Sequence, residues 1–219
     1  IRKAAASLPE GHPLRHGLTA TAAGHAWPDN AGTGRTAVPE YCPKEMVVQK
    51  DTHQSHVMIG ARAYSARDPR QLSLYLLNNI LGGPGNLSLR ERNGLVYTVE
   101  SCMTSYTDTG IWSIYFGCDP HDVARCRRLV MKELRRLADA PLDARALEAA
   151  KRQIKGQIGI SHDSFENVAL AMGKRFLHYN HTQDIQTLYE KIDALTADDL
   201  HAVAQDLFRE ENLTTLIYK

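Results

Sequence analysis

The feature that most limits the fold is an unbroken train of helical patterns in the second half of the chain. It follows two strand-like runs, "LVYTVESCMTSY" (95–106) and "GIWSIYFGCD" (110–119), which the hairpin signal "TDTG" joins. Five helical segments come next with no strand between them, and the chain closes on "LTTLIYK" (213–219). Hairpin-linked strands beside a block of helices belong to α+β folds. The strand–helix alternation of a nucleotide-binding parallel sheet does not occur in the sequence.

Local signals divide that train. Asp119-Pro120 opens the first helix, and Val123, Cys126, Val130, Leu134 and Leu137 recur on one of its faces. Asp143 caps a second helix that runs to about Ile160, and Ser164 caps a third, "SFENVALAMGKRFLHY". "DIQTLYEKIDAL" (184–195) and "TADDLHAVAQDLF" (196–208) complete the train, the last opening on a capping-box pair, Thr196 and Asp199. Upstream lie two more strand-like runs, "EMVVQKD" (45–51) and "HVMIGARAY" (56–64). The second alternates imperfectly, a pattern that predicts burial on both faces. Asp68 and Pro69 then start a helix whose apolar face is Leu72, Leu76 and Ile80, with Leu77 and Leu81 beside them. Gly82-Gly83-Pro84 stops it. The order ββ-α-ββ-ααααα-β predicts an antiparallel or mixed β-sheet covered on one side by helices. Residues 1–44, rich in Gly, Ala, Thr and Pro without sustained periodicity, read as an irregular arm or linker, and residues 45–219 as one domain.

Charge and hydropathy exclude several roles. With 26 basic and 25 acidic side chains the formal net charge is +1, so no global field calls for nucleic acid or an anionic membrane surface. No run approaches the roughly 18 apolar residues of a membrane span. Ile1-Arg2-Lys3-Ala4 lacks the apolar core of a secretory leader. The expectation is a soluble protein, cytoplasmic or periplasmic, without nucleic-acid or membrane partners. Cys42, Cys102, Cys118 and Cys126 form no C-x-x-C pair, and they read mostly as small buried hydrophobes. "GGPG" has neither the G-x-G-x-x-G context nor the Gly-Lys-Ser of a phosphate loop.

Histidine pairs are the obvious candidates for metal. His12/His16, His53/His56 and His178/His181 have suggestive spacings, but none carries a Glu between or beside its members. His53/His56 enters a strand, where positions i and i+3 face opposite sides. All three pairs read as structural or adventitious, so no metal site is expected in this chain. No G-x-S-x-G elbow supports a serine nucleophile, and His25, Trp27 and Asp29 read as an ordinary polar loop.

The remaining candidate pair lies in "SLRERNGLVYTVES" (88–101), where Arg90 precedes Tyr97 by seven residues. The plain reading pairs Arg90 with Glu91 or Glu100 and lets Tyr97 fill a strand position. The chemical reading notes that arginine offers five fixed donors and tyrosine a hydroxyl on a rigid ring. Together they could grip the carbonyl groups of a peptide, or stabilise an oxyanion generated by a metal supplied from elsewhere.

"LGGPG", "LRERNGLVYTVES", "YFGCDP", "ALEAAKRQIKGQI" and "ALTADDLHAVAQDLF", in that order, resemble the C-terminal, inactive half of the M16 zinc metallopeptidases, the group of pitrilysin, insulin-degrading enzyme and mitochondrial processing peptidase. The resemblance spans about 45–219 and implies the half-molecule fold of that family. It further implies a chain that binds extended peptide and is silent alone. The H-x-x-E-H zinc motif would lie in an N-terminal half or partner subunit, with a homodimer a further arrangement. On this resemblance Arg90 and Tyr97 correspond to the family's arginine and tyrosine that reach substrate, and Gly82, Gly83 and Gly85 to a substrate-handling turn. Two departures stand out: the chain contains no H-x-x-E-H, and only Asn86 to Leu89 separate the glycine turn from Arg90 where the family usually has more residues. The competing implication is a structural subunit without peptidase activity, like the core proteins of respiratory complexes that share this fold.

Overall fold

In the computed structural model the described residues are 40–49, 53–82, 95–180, 182 and 184–219. The sheet contains β1 (Glu45–Val48), β2 (Ser55–Ala63), β3 (Val96–Ser105), β4 (Gly110–Cys118) and β5 (Thr214–Tyr218). The helices are α1 (Gln71–Gly82), α2 (Val123–Asp139), α3 (Ala144–His162), α4 (Phe165–Tyr179), α5 (Ile185–Ala194) and α6 (Ala197–Leu207). The chain is thus α+β, in the predicted order.

The five strands lie in the order β1-β5-β2-β4-β3. β1 runs parallel to β5, and every other neighbouring pair is antiparallel. Strand β5 therefore lies between β1 and β2, which ties the last described strand to the first two. The arrangement leaves β3 as an edge strand.

One face of the sheet carries the core. Val57 and Ile59 of β2 and Trp112, Ile114 and Phe116 of β4 are fully buried there, and Trp112 meets Phe208 with ring centroids 4.5 Å apart. The helices cover this face, α1 packing on β3 and α6 on β2, α2 and α1. The α2 stripe behaves as its spacing predicts, with Cys126, Val130, Leu134 and Leu137 buried. In α1, Leu76, Leu77, Ile80 and Leu81 are buried and Leu72 is partly so.

The expected burial of β2 on both faces does not hold. Ser55, Val57, Ile59, Ala61 and Ala63 are buried, whereas the alternate residues His56, Met58, Gly60 and Arg62 face outward and Met58 is 45% exposed. The cause is that no described element covers the second face of the sheet. The cysteines divide as well: Cys118 and Cys126 are buried core residues, but Cys42 and Cys102 are exposed, because the first precedes β1 and the second points outward from the edge strand.

Helix starts show the capping chemistry. Asp143 accepts from Ala146 N, Ser164 from Asn167 N and Asp184 from Gln186 N. Thr196 and Asp199 form the complete reciprocal box. Asp-Pro marks a turn before the helix in both places where it occurs. Asp68 O accepts from Gln71 N at 3.1 Å before α1, and Asp119 O accepts from Asp122 N at 3.0 Å before α2. Both helices consequently begin two or more residues later than the Asp-Pro pair suggests.

Candidate functional site

Tyr97 occupies an irregular position in the ladder. Val96 pairs with Cys118 and Thr98 with Gly117, which leaves Tyr97 as the extra residue of a bulge at the start of β3. Bulges bend a strand and re-aim one side chain. Here the side chain is left 53% exposed. Its hydroxyl donates to Asp119 Oδ1 at 3.0 Å. Asp119 is held at that spot because β4 ends at Cys118 and the Asp-Pro turn begins directly after it. This hydrogen bond, reinforced by the carboxylate charge, holds the Tyr97 phenol above its ordinary range, since ionising it would place two anions together.

Beside Tyr97 the uncovered face of the sheet carries a second polar feature. His56 Nδ1 and Tyr115 Oη lie 2.7 Å apart, with the rings stacked at 11° and centroids 6.1 Å apart. The pair leans toward Gly117, the cross-strand partner of Thr98. A Cβ on Gly117 would stand 3.8 Å from Tyr115 Oη and 3.9 Å from His56 Nδ1, in ordinary contact with the pair. Farther along the same face a shallow hollow of about 460 Å³ is lined by Met58, Ile111, Leu216, Tyr41 and Arg62. Ile111 is 52% exposed, an apolar surface that a covered sheet would have buried.

Among the described residues, edge strand β3 pairs only with β4. Its outer backbone N–H and C=O groups take no part in the sheet ladders. Such an edge can accept an added strand. On this strand Glu100, Cys102 and Thr104 are exposed and Tyr97 sits at the end.

The predicted site residues fare differently. Tyr97 is placed as an exposed bulge residue. Arg90, Gly83 and Gly85 lie outside the described residues, as do His12, His16 and His181. Gly82 ends α1, and a Cβ there would stand 3.8 Å from Ser101 Cβ of β3. Sequence reasoning did not single out Asp119 or the His56–Tyr115 pair. Asp119-Pro120 carried a signal, but as a helix start. The His56–Tyr115 contact depends on the β2–β4 register, in which His56 pairs with Gly117 and Met58 with Tyr115.

Asp119, His121 and Asp122 each bring a ligand-type atom within 4.8 Å of the others. Asp119 already accepts from Tyr97, and His121 Nε2 lies 3.3 Å from Asp122 Oδ2. The trio is an acidic turn beside a tyrosine, and we assign no metal to it. No helix among the described residues is long and apolar enough to cross a membrane.

Comparisons with known proteins bear on the fold. The family described as Peptidase M16 inactive domain matches residues 23–154. A zinc protease of Bacillus subtilis is 27% identical over 183 residues, covering 82% of this chain and 45% of its own length. The mitochondrial-processing peptidase subunit beta of Bos taurus is 29% identical over 161 residues, covering 68% of this chain and 33% of its own. The chain thus spans less than half the length of these relatives. Among solved structures, a peptidase M16 inactive domain from Pseudomonas fluorescens matches with a TM-score of 0.73 at 19% identity, over 84% of this chain and 45% of that one, a likeness of fold.

Proposed function

The chain belongs to the M16 peptidase inactive-domain family, and from that premise we propose that it is the substrate-binding half of a zinc metalloendopeptidase, silent alone and completed by a zinc-bearing half or subunit. The observation that carries the reading is Tyr97, presented in an exposed bulge at the open edge of the sheet. An extended peptide pairs with β3 by strand addition and runs past Tyr97. Arg90, seven residues earlier, supplies donors to the same peptide.

The zinc of the related proteases does not fit this chain. A hydrolytic zinc needs about three protein ligands and a base, and the sequence has no H-x-x-E-H. The trio at Asp119 offers two half-buried carboxylates already engaged and one exposed histidine. The metal therefore belongs to the partner, and this chain contributes binding and orientation.

The test is peptide cleavage by the chain alone and by its assembly with a zinc-bearing half. Cleavage should require the assembly, and Arg90→Ala and Tyr97→Phe should each lower turnover while leaving the unfolding midpoint in place. Chelator-sensitive cleavage by the isolated chain would overturn the proposal. A stable assembly with no peptidase activity would instead support a purely structural subunit.

A further inference from the structure

A hollow of about 500 Å³ opens between α2 and the end of β5. Arg127, Arg128, Arg135 and Lys219 line it against one carboxylate, Glu210, in a chain whose basic and acidic residues number 26 and 25. The floor is apolar, with Met131 and Ile217 buried and Val123 half-buried. A cleft lined by one sign of charge over a low-dielectric floor focuses the field that a ligand meets. The α2 sequence builds this wall, because Arg127, Arg128, Met131 and Arg135 stand three or four residues apart and so share one helix face. Two of the arginines are held by the chain's own carboxylates. Arg127 Nη2 lies 2.8 Å from Glu45 Oε2 at the start of β1, and Arg135 pairs with Glu210. A guanidinium has five N–H donors, so each keeps donors for a ligand. Arg128 and Lys219 are exposed and pair with no carboxylate among the described residues.

Strand register sets where the hollow lies. Lys219 follows Tyr218, which pairs with His56; His56 pairs with Gly117, and Gly117 with Thr98. The hollow therefore opens at the same end of the sheet as the start of β3, and Pro120 and His121 of the turn after β4 form part of its lining. A subunit that docks at this end has the arginines of α2 beside it. We infer that the hollow is a docking surface for an acidic segment of the zinc-bearing half. Arg128, Lys219 and the remaining donors of Arg127 and Arg135 take its carboxylates, and the floor takes its apolar side chains. The inference rests on the reading of this chain as one half of a metallopeptidase and adds the chemistry by which the other half is held. Carboxylate is the matching group because a guanidinium fork receives it through two parallel hydrogen bonds. Inorganic phosphate would leave the apolar floor bare, and no Phe, Tyr or Trp lines the hollow to stack a nucleic-acid base.

Binding of the 219-residue chain to the zinc-bearing half, followed by surface plasmon resonance, tests this. Reversing two exposed charges, Arg128→Glu with Lys219→Glu, should weaken assembly by about tenfold or more, mainly through slower association. Arg128→Lys with Lys219→Arg keeps both charges and should retain most of the affinity. Both side chains are exposed, so the unfolding midpoint of the isolated chain should hold in either variant. Raising the salt should weaken the parent's assembly more than that of the reversed variant. A carbodiimide, which condenses an amine with a carboxyl group, should join Lys219 to an Asp or Glu of the zinc-bearing half, as read by mass spectrometry. If the reversed variant assembles with the parent's affinity, or if Lys219 joins no carboxyl group of the zinc-bearing half, the inference is overturned while the half-molecule reading stands. If the parent chain does not assemble with the zinc-bearing half at all, that reading fails, and this inference with it.

Discussion

Gly110 and Gly117 sit at the two ends of β4, and one substitution should have opposite consequences there. A Cβ on Gly110 would fall 2.2 Å from the carbonyl oxygen of Tyr64, 3.0 Å from its carbonyl carbon and 3.1 Å from that of Ala63. Close carbon–oxygen contacts are about 3.3 Å, so the overlap is about 1 Å. Every atom in the way is backbone, and Gly110 pairs with both Ala63 and Ser105, so neither strand can retreat without loosening the ladder. Overpacking costs about 1–3 kcal/mol, and a disturbed ladder hydrogen bond adds about 1 kcal/mol. Gly110→Ala should therefore lose about 2–4 kcal/mol. At Gly117 the nearest atoms to a new Cβ are Tyr115 Oη at 3.8 Å and His56 Nδ1 at 3.9 Å, ordinary contacts. Restricting the unfolded chain should then make Gly117→Ala neutral or stabilising by up to about 1 kcal/mol. Urea unfolding followed by far-UV circular dichroism would separate the two midpoints by about 1 M or more, at the slopes usual for small proteins. A Gly110→Ala variant within about 0.5 kcal/mol of the parent, or a Gly117→Ala variant as damaged as Gly110→Ala, would refute the reasoning.

Thiol accessibility follows from the division of the cysteines. Burial pushes the Cys118 thiol up to about 12 and raises Cys126 as well, whereas Cys42 and Cys102 are exposed. A disulfide reagent at pH 8 should modify two thiols in the native chain and four after unfolding, and rapid native modification of all four would contradict the packing. At α6, Thr196→Ala should cost about 1 kcal/mol in thermal or urea unfolding, with Thr196→Ser retaining most of it. The Thr196 hydroxyl and backbone N–H together hold the Asp199 carboxyl below its ordinary value. A depressed acid contributes stability that is present above its unfolded value of about 3.9 and lost as pH falls through the lower folded one. Asp199→Asn should flatten the acid limb of a stability–pH curve, and an unchanged limb would count against the box.

Much of the architecture was legible because it depends on local chemistry. In the second half α2 announces itself by its apolar stripe and α3, α4 and α6 by their caps, and Asp143, Ser164 and Thr196 bond as their positions predict. The hairpin joins β3 to β4 where "TDTG" places it, with Tyr106 N donating to Thr109 O. The two Asp-Pro pairs were harder to read. Proline suits a first helical position, but here each pair builds a turn that precedes the helix, and at Asp119 that turn positions the tyrosine's partner.

The sequence by itself determined the element order and the α+β class, because periods of two and 3.6 and the capping residues are properties of neighbours along the chain; it also displayed the seven-residue spacing of Arg90 and Tyr97. Strand order, the open face and the contact between Tyr97 and Asp119 came only from the tertiary structure. Nothing local tells β5 to insert between β1 and β2, or leaves β3 at the edge. Imperfect alternation in β2 looked like burial on both faces until the sheet showed which side the helices leave bare. The meeting of Tyr97 with Asp119, 22 residues apart, requires a bulge in one strand and a turn at the end of the next. Such a contact depends on strand register, and register is set by long-range pairing rather than by any residue's own preference.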